Sequence, residues 1–265
     1  MPLDSVQCVQ WLVFVEKMAD LILATDDAGG PEIFASLQGE GPSAGSPTAF
    51  IRLSRCNLAC VWCDTAYTWR FDDAKPHRDN MAYDRNANQV MLGIEEAAER
   101  IIGLGQNRLV ITGGEPLLQA GALADLLEAM DARGHAPFVE IETNGTVKLP
   151  ARLDIRVDQF NVSPKLSHSG NRAELALIEE RLDFFASDPR AYFKFVIADS
   201  ADVDEVLRLV QFHRMACDRT FLMAEGVDST SLKTRQKWIS KACLDHGFRM
   251  SDRMHIHLYG DTRAT

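Results

Sequence analysis

Cys56, Cys60 and Cys63 fall within a window of eight residues, half of the chain's six cysteines in one loop. Thiolates gathered this closely repel one another unless a soft cation holds them, so the spacing points to a metal centre. A structural zinc site is normally closed by four ligands. Three cysteines without an obvious fourth partner suit a 4Fe-4S cluster held at three irons, with the fourth open for chemistry. Two blander readings stand beside this one: cysteines that merely line a strand end, and a zinc knuckle completed by a distant histidine.

The apolar run Ala49 to Leu53 feeds straight into those cysteines, and the same grammar recurs along the chain. Asn107 to Ile111 leads to Thr112-Gly113-Gly114-Glu115-Pro116, Phe138 to Ile141 to Glu142-Thr143-Asn144-Gly145-Thr146, Ile155 to Val162 to Ser163-Pro164-Lys165, and Phe221 to Met223 to Glu225-Gly226. Between them, helical periodicity is expected at Ile94 to Leu104, Leu117 to Arg133, Ala173 to Phe185, Val203 to Met215 and Leu232 to His246, the last closed by Gly247. Tyr192 to Ile197 and His255 to Tyr259 read as further strands, and Asp72 to Gln89 as a loop or insertion. Alternating strands and helices imply parallel strands joined by right-handed crossovers. About six such units are too few for a closed eight-stranded barrel, so the expected fold is α/β, an open partial parallel β/α barrel. Loops at the carboxyl ends of its strands would share one rim and build one site.

Each loop also has a plain reading: Gly113-Gly114 as a strand-to-helix turn, Asn144-Gly145 as a turn dipeptide, Glu115 as a cap on the helix at Leu117. Lys194 inside Tyr-Phe-Lys-Phe-Val-Ile needs a counter-charge if buried, and a ligand carboxylate would supply one.

The cysteine spacing resembles that of radical S-adenosylmethionine enzymes, in which the open iron binds the cofactor's amino and carboxylate groups and an electron from the cluster releases a 5'-deoxyadenosyl radical. A narrower resemblance rests on several stretches in fixed order. These are Glu32-Ile33-Phe34-Ala35-Ser36-Leu37-Gln38-Gly39-Glu40-Gly41, Phe50-Ile51-Arg52-Leu53, Cys63-Asp64-Thr65, Thr112 to Gln119, Glu142 to Thr146 and Ser163-Pro164-Lys165. Together, from about Pro31 to Gly260, they resemble the 7-carboxy-7-deazaguanine synthase family. The resemblance implies ring contraction of 6-carboxy-5,6,7,8-tetrahydropterin to 7-carboxy-7-deazaguanine with release of ammonia, a step of queuosine and deazapurine biosynthesis.

The resemblance further implies that Cys56, Cys60 and Cys63 hold the 4Fe-4S cluster, and that Thr65 binds Mg2+. Leu37, Gln38, Gly39, Arg52 and Thr112 would contact substrate. Trp62, Cys63, Asp64, Gly114, Ser163, Pro164 and Lys165 would line the S-adenosylmethionine site, where Glu115, Glu142 and Asn144 are expected to join them. No protein nucleophile is required, since the cofactor radical abstracts the substrate's C6 hydrogen. Arg52 offers a fork of donors suited to a substrate carboxylate. A flavodoxin or ferredoxin as electron donor, a homodimer and a cytoplasmic location are expected. Arg55 stands where the family commonly has glycine, and Ala224 where it has proline. The runner-up readings are a glycyl-radical-enzyme activase or another radical enzyme of this superfamily, and, from a different class, a zinc- or cluster-bearing regulator without turnover.

A net charge of -10 with no basic face argues against nucleic acid, and no run is apolar and long enough for a membrane span. Cys8, Cys217 and Cys243 read as free thiols in a reducing compartment. Residues 1–30 fit poorly with the remainder of the chain and are expected to be an extension to a domain spanning 31–265. Val9 to Val15 lacks the flanks of a signal peptide, Met18 is a plausible alternative start, and the tail Asp261 to Thr265 carries no assigned role.

Overall fold

The computed structural model describes residues 20–265, so the Val9 to Val15 run, Cys8 and Met18 lie outside the described residues. Ten strands form one sheet: β1 (Leu21–Ala24), β2 (Ile33–Leu37), β3 (Pro47–Leu53), β4 (Gln89–Leu92), β5 (Arg108–Gly113), β6 (Phe138–Thr143), β7 (Gln159–Val162), β8 (Ala191–Ile197), β9 (Thr220–Ala224) and β10 (Arg249–Ser251). Their order is β10-β9-β8-β7-β6-β5-β3-β1-β4, with β2 also paired to β3. The run from β3 through β5 to β10 is parallel throughout, and its two ends do not meet. The expected open, partial β/α barrel is what forms.

The helices crossing between these strands follow their sequence signals. Ile94–Gly103 buries Ile94, Ala97, Ala98 and Ile101, the i, i+3, i+4, i+7 stripe of a helix packed on a sheet. Ser229–His246 starts where the Asp228 carboxylate accepts the amides of Thr230 and Ser231 at 3.0 and 2.9 Å, and it stops at Gly247 with φ +71°. Among the described residues no helix is long and apolar enough to cross a membrane.

Period-two alternation divides each parallel strand between two environments. Ile51, Leu53, Leu109, Ile111, Ile141, Phe160, Phe193 and Phe195 enter the core with the helices. The intervening Arg52, Thr112, Glu142 and Lys194 line an inner cavity instead. Strands β3, β5, β6 and β8 therefore each carry both core and site.

Four expectations are corrected. Residues 21–30 belong to the fold, because β1 pairs antiparallel with both β3 and β4, with Leu21 and Leu23 fully buried. The strand expected from Ile155 begins only at Gln159; Pro150 starts a helical turn, Ala151–Asp154, and Ile155 is 80% exposed. The helix expected over Ala173 to Phe185 is two, Ala173–Ala176 and Glu179–Ser187. His255 to Tyr259 is no strand but part of the short helix Met254–Tyr259, while Arg249–Ser251 pairs with β9. The alternation His-Ile-His-Leu imitates a strand, yet only Ile256 of that helix is buried.

Candidate active site

A cavity of about 360 Å³ opens at the carboxyl ends of the parallel strands, lined by Cys56, Cys60 and Cys63 and by side chains of the inner sheet face. The cysteine loop is tied down along its length. Arg55 N–H and Ser54 Oγ both donate to the Thr68 carbonyl at 2.7 Å, Val61 N–H donates to Ser169 O at 3.0 Å, and Arg78 N–H to Val61 O at 2.8 Å. Gly114 is needed because β5 leaves the sheet directly beneath this loop: a Cβ there would lie 2.0 Å from the Arg55 carbonyl oxygen. Its missing side chain thus serves the packing of two backbones.

Each sulfur receives a nitrogen donor. Leu58 N–H reaches Cys56 Sγ at 3.4 Å, the Asn171 amide reaches Cys60 Sγ at 3.2 Å and the Trp69 indole reaches Cys63 Sγ at 3.4 Å. Burial pushes the Cys56 thiol up to about 12 and Cys60 to about 11, and raises Cys63 as well. Three thiols that resist ionisation on their own, yet are each met by a donor, fit ligands whose negative charge a cationic centre neutralises. No group of three or more His, Cys, Asp or Glu among the described residues is gathered tightly enough for a single metal ion. The three thiols instead share one cavity wall, as a cluster of several irons requires.

Away from the sulfurs, the cavity carries a network of paired charges. Lys194 Nζ donates to Glu40 at 2.5 Å and to Glu142 at 2.8 Å. Arg253 reaches Glu40 at 3.1 Å through Nε, the Gly226 carbonyl through Nη1 at 2.5 Å and Asp64 through Nη2. Gln38 donates to Glu140 at 2.6 Å, as does Asn161. Burial alone would raise Glu40, but Lys194, then Arg253 and His255, outweigh it and hold the carboxyl well below the usual range. Burial likewise works against the Lys194 charge, and Glu142 and Glu40 more than restore it. The counter-charge expected from a ligand thus comes from the protein itself.

Arg52 is also paired, though only along one edge. Its Nε donates to Glu32 at 2.7 Å, and the fully buried Glu32 also accepts the Tyr67 hydroxyl at 2.9 Å. Nη1 and Nη2 have no hydrogen-bond partner among the described residues, and Arg52 lines the cavity. The guanidinium is held by its Nε edge with its terminal fork free for a carboxylate.

Of the residues expected at the site, Leu37, Gln38, Gly39, Arg52, Trp62, Asp64, Thr65, Thr112, Gly114, Glu142, Asn144, Ser163 and Lys165 share this cavity with the cysteines. Pro164 is not on its wall, and neither is Glu115. The Glu115 carboxylate is fully buried and taken up by Leu117 N–H, the Thr143 hydroxyl and Asn144 N–H at 3.0, 2.8 and 2.7 Å. It caps and props the loop that carries Asn144, the plain reading of that residue.

Sequence reasoning passed over Glu40, Arg253, His255 and the tail residues Asp261 to Arg263, all of which line the cavity. Gly39 and His255 approach so closely that a Cβ on the glycine would lie 2.4 Å from the imidazole Nδ1. Arg263 lies 3.7 Å over the Tyr67 ring. The available signal was position: Arg253 and His255 follow β10 at the same rim as the other loops.

An open β/α sheet with three cysteines after its first parallel strand defines the radical S-adenosylmethionine class, and the sequence model of the Radical SAM superfamily matches residues 50–168. A 7-carboxy-7-deazaguanine synthase of Pyrobaculum aerophilum is 39% identical over 237 residues, covering 88% of this chain and 95% of the relative. One of Hyperthermus butylicus is 32% identical, covering 85% and 90%. The chain belongs to the 7-carboxy-7-deazaguanine synthase family. The crystal structure of QueE from Escherichia coli shares the fold, with a TM-score of 0.61 at 24% identity, covering 88% of this chain and 95% of that one.

Proposed function

We propose that this cavity contracts the ring of 6-carboxy-5,6,7,8-tetrahydropterin to 7-carboxy-7-deazaguanine with release of ammonia. The observation that carries the reading is Arg52, clamped through Nε by Glu32 and presenting its free fork to the same cavity as the three thiols. Cys56, Cys60 and Cys63 would hold the 4Fe-4S cluster, and with bound S-adenosylmethionine this supplies the hydrogen-abstracting deoxyadenosyl radical. The chain's own part is to bind, orient and exclude water. Trp62, with Lys165 Nζ 5.5 Å from its ring centroid, Asp64, Gly114, Glu142, Asn144 and Ser163 would line the cofactor's side. Leu37, Gln38, Gly39, Arg52 and Thr112 would grip the substrate. Holding both reactants at fixed separation is where the rate gain arises.

Thr65 would place its hydroxyl on Mg2+, with substrate carboxylate oxygens and water filling the shell. A flavodoxin or ferredoxin would deliver the electron, and a cytoplasmic homodimer is the form in which we place the enzyme. The test is anaerobic turnover of the carboxypterin with reductant, Mg2+ and S-adenosylmethionine. Appearance of 7-carboxy-7-deazaguanine and ammonia, with the cofactor recovered, is expected; cofactor cleavage with the pterin unchanged would overturn the substrate assignment. In Thr65→Ala the cluster and basal cofactor cleavage should persist while the Mg2+ titration of turnover moves to higher concentration. An unmoved titration would remove Thr65 from that role.

A further inference from the structure

We infer that Asn171 and Trp69 set the reduction potential of the cluster by donating hydrogen bonds to the sulfurs of Cys60 and Cys63. The inference rests on those cysteines as cluster ligands and is independent of which substrate is turned over.

Asn171 comes after the turn Ser167–Ser169 and Gly170, a segment clasped to the cysteine loop by Val61 N–H donating to Ser169 O at 3.0 Å. Its side chain is used completely. Oδ1 accepts the Ala59 amide at 2.9 Å, while Nδ2 reaches Cys60 Sγ at 3.2 Å and Ser169 Oγ at 3.1 Å. Exchanging the amide's oxygen and nitrogen would set N–H against the Ala59 N–H, so the orientation is fixed and a donor must face the sulfur. Trp69 is placed with similar care. Its Nε1 reaches Cys63 Sγ at 3.4 Å, its ring stands edge-on to His77 with centroids 6.4 Å apart, and His77 Nε2 in turn lies 2.9 Å from the Cys63 carbonyl oxygen.

Reducing a cluster adds negative charge that its sulfur ligands share, and an N–H dipole aimed at sulfur stabilises the reduced form more than the oxidised one. Both contacts therefore raise the potential and ease reduction by the electron donor. Their removal makes the cluster harder to reduce. The two donors come from separate segments and meet separate sulfurs, so their effects should add.

The test uses the full chain with its cluster reconstituted anaerobically, without substrate. Iron and sulfide content is measured, and then a redox titration is monitored by the electron paramagnetic resonance of the reduced cluster. Trp69→Phe keeps an aromatic ring while removing the N–H donor together with the pyrrole half of the indole. Asn171→Ala removes the amide, and Asn171→Asp keeps an acceptor for Ala59 N–H while turning an anionic oxygen toward sulfur. The expected result is full cluster content with a midpoint shifted negative in Trp69→Phe and Asn171→Ala, further in the double variant, and further in Asn171→Asp than in Asn171→Ala. Full clusters at the parental midpoint would overturn the inference, as would loss of the cluster from every variant including Trp69→Phe, which would make both residues structural staples. A parental protein that takes up no cluster would instead overturn the ligand assignment on which the inference rests.

Discussion

The two walls of the cavity satisfy their polar groups in opposite ways. At the wall away from the sulfurs Lys194, Glu40, Glu142 and Arg253 neutralise one another within the protein, at distances of 2.5 to 3.1 Å. At the sulfur wall, one buried and two half-buried thiols have hydrogen-bond donors, and although the Lys165 charge favours the Cys60 thiolate, desolvation pushes each thiol toward its neutral form. The first wall is preorganised by the chain alone; the second is completed by what it binds. Substitutions at the sulfur wall should therefore remove a cofactor, whereas those at the charged wall should cost stability.

The largest effect is expected at the sulfurs. Cys56→Ala, Cys60→Ala or Cys63→Ala should each abolish reductive cleavage of S-adenosylmethionine, because two cysteines cannot hold the cluster with one iron open. Cys217→Ser and Cys243→Ala, at an exposed and a buried position outside the cavity, should retain it. Iron and sulfide assays beside deoxyadenosine formation check this, and a cavity-cysteine variant with full cluster and turnover would erase the contrast between the walls.

At the charged wall, Lys194→Met should lower stability at neutral pH by up to about 3–5 kcal/mol, the cost of breaking a buried ion pair, with Arg253 still holding one side of Glu40. The pH dependence comes from Glu40. In the parent its carboxyl is held below its ordinary value, so its contribution is present above the unfolded carboxylate's pKa and is lost only as pH falls through the lower folded value. Without Lys194, burial weighs more heavily and favours the protonated acid. The deficit should then shrink as pH is lowered from 7 toward about 4.5, near the carboxylate's ordinary pKa. Denaturant unfolding at several pH values measures it, and a deficit that widens on acidification would contradict the pairing.

Arg52 sits between the two regimes, with one edge paired and one free. Arg52→Lys keeps the charge and loses the fork, and a charged hydrogen bond is worth about 1.5–3 kcal/mol, or roughly a ten- to hundred-fold rise in carboxypterin dissociation constant. Cofactor cleavage in the absence of substrate should survive. Normal substrate binding, or equal loss of both, would make Arg52 a structural residue and favour the activase reading.

This division also explains what could be read in the sequence. The cysteine wall is local: its ligands sit in one loop, and the loops after β5 and β6 succeed runs whose β-character is plain. The charged wall is assembled from distance. Glu40 and Lys194 are 154 positions apart and Arg253 is 213 from Glu40, so no spacing announces them. Lys194 was visible as a misfit in an apolar strand, but its partners were not. His255 to Tyr259 misleads for a different reason, since that helix shows alternation without burial. β1 was missed because Leu21–Ala24 is only four residues long and finds its partners in β3 and in β4, beyond the cysteine loop.

The smallest expected effect tests how the cysteine loop leaves its strand. Arg55 has φ +78°, the left-handed region, and its side chain is exposed with no ion-pair partner among the described residues. Its backbone is pinned there from both sides, the N–H donating to Thr68 O at 2.7 Å and the carbonyl accepting Glu115 N–H at 2.9 Å. A non-glycine residue in this region costs about 1–2 kcal/mol, and glycine returns about 0.5–1 kcal/mol of that through the greater freedom of its unfolded chain. Arg55→Gly should accordingly stabilise the protein by about 0.5–1 kcal/mol, raising Tm by roughly 1–4 °C for a domain of this size. Cluster content and turnover should be unchanged, because the side chain touches nothing in the cavity. Anaerobic thermal unfolding of the two proteins side by side decides it: a lower Tm in the variant would mean that the arginine side chain contributes to the loop in a way its exposed position does not show.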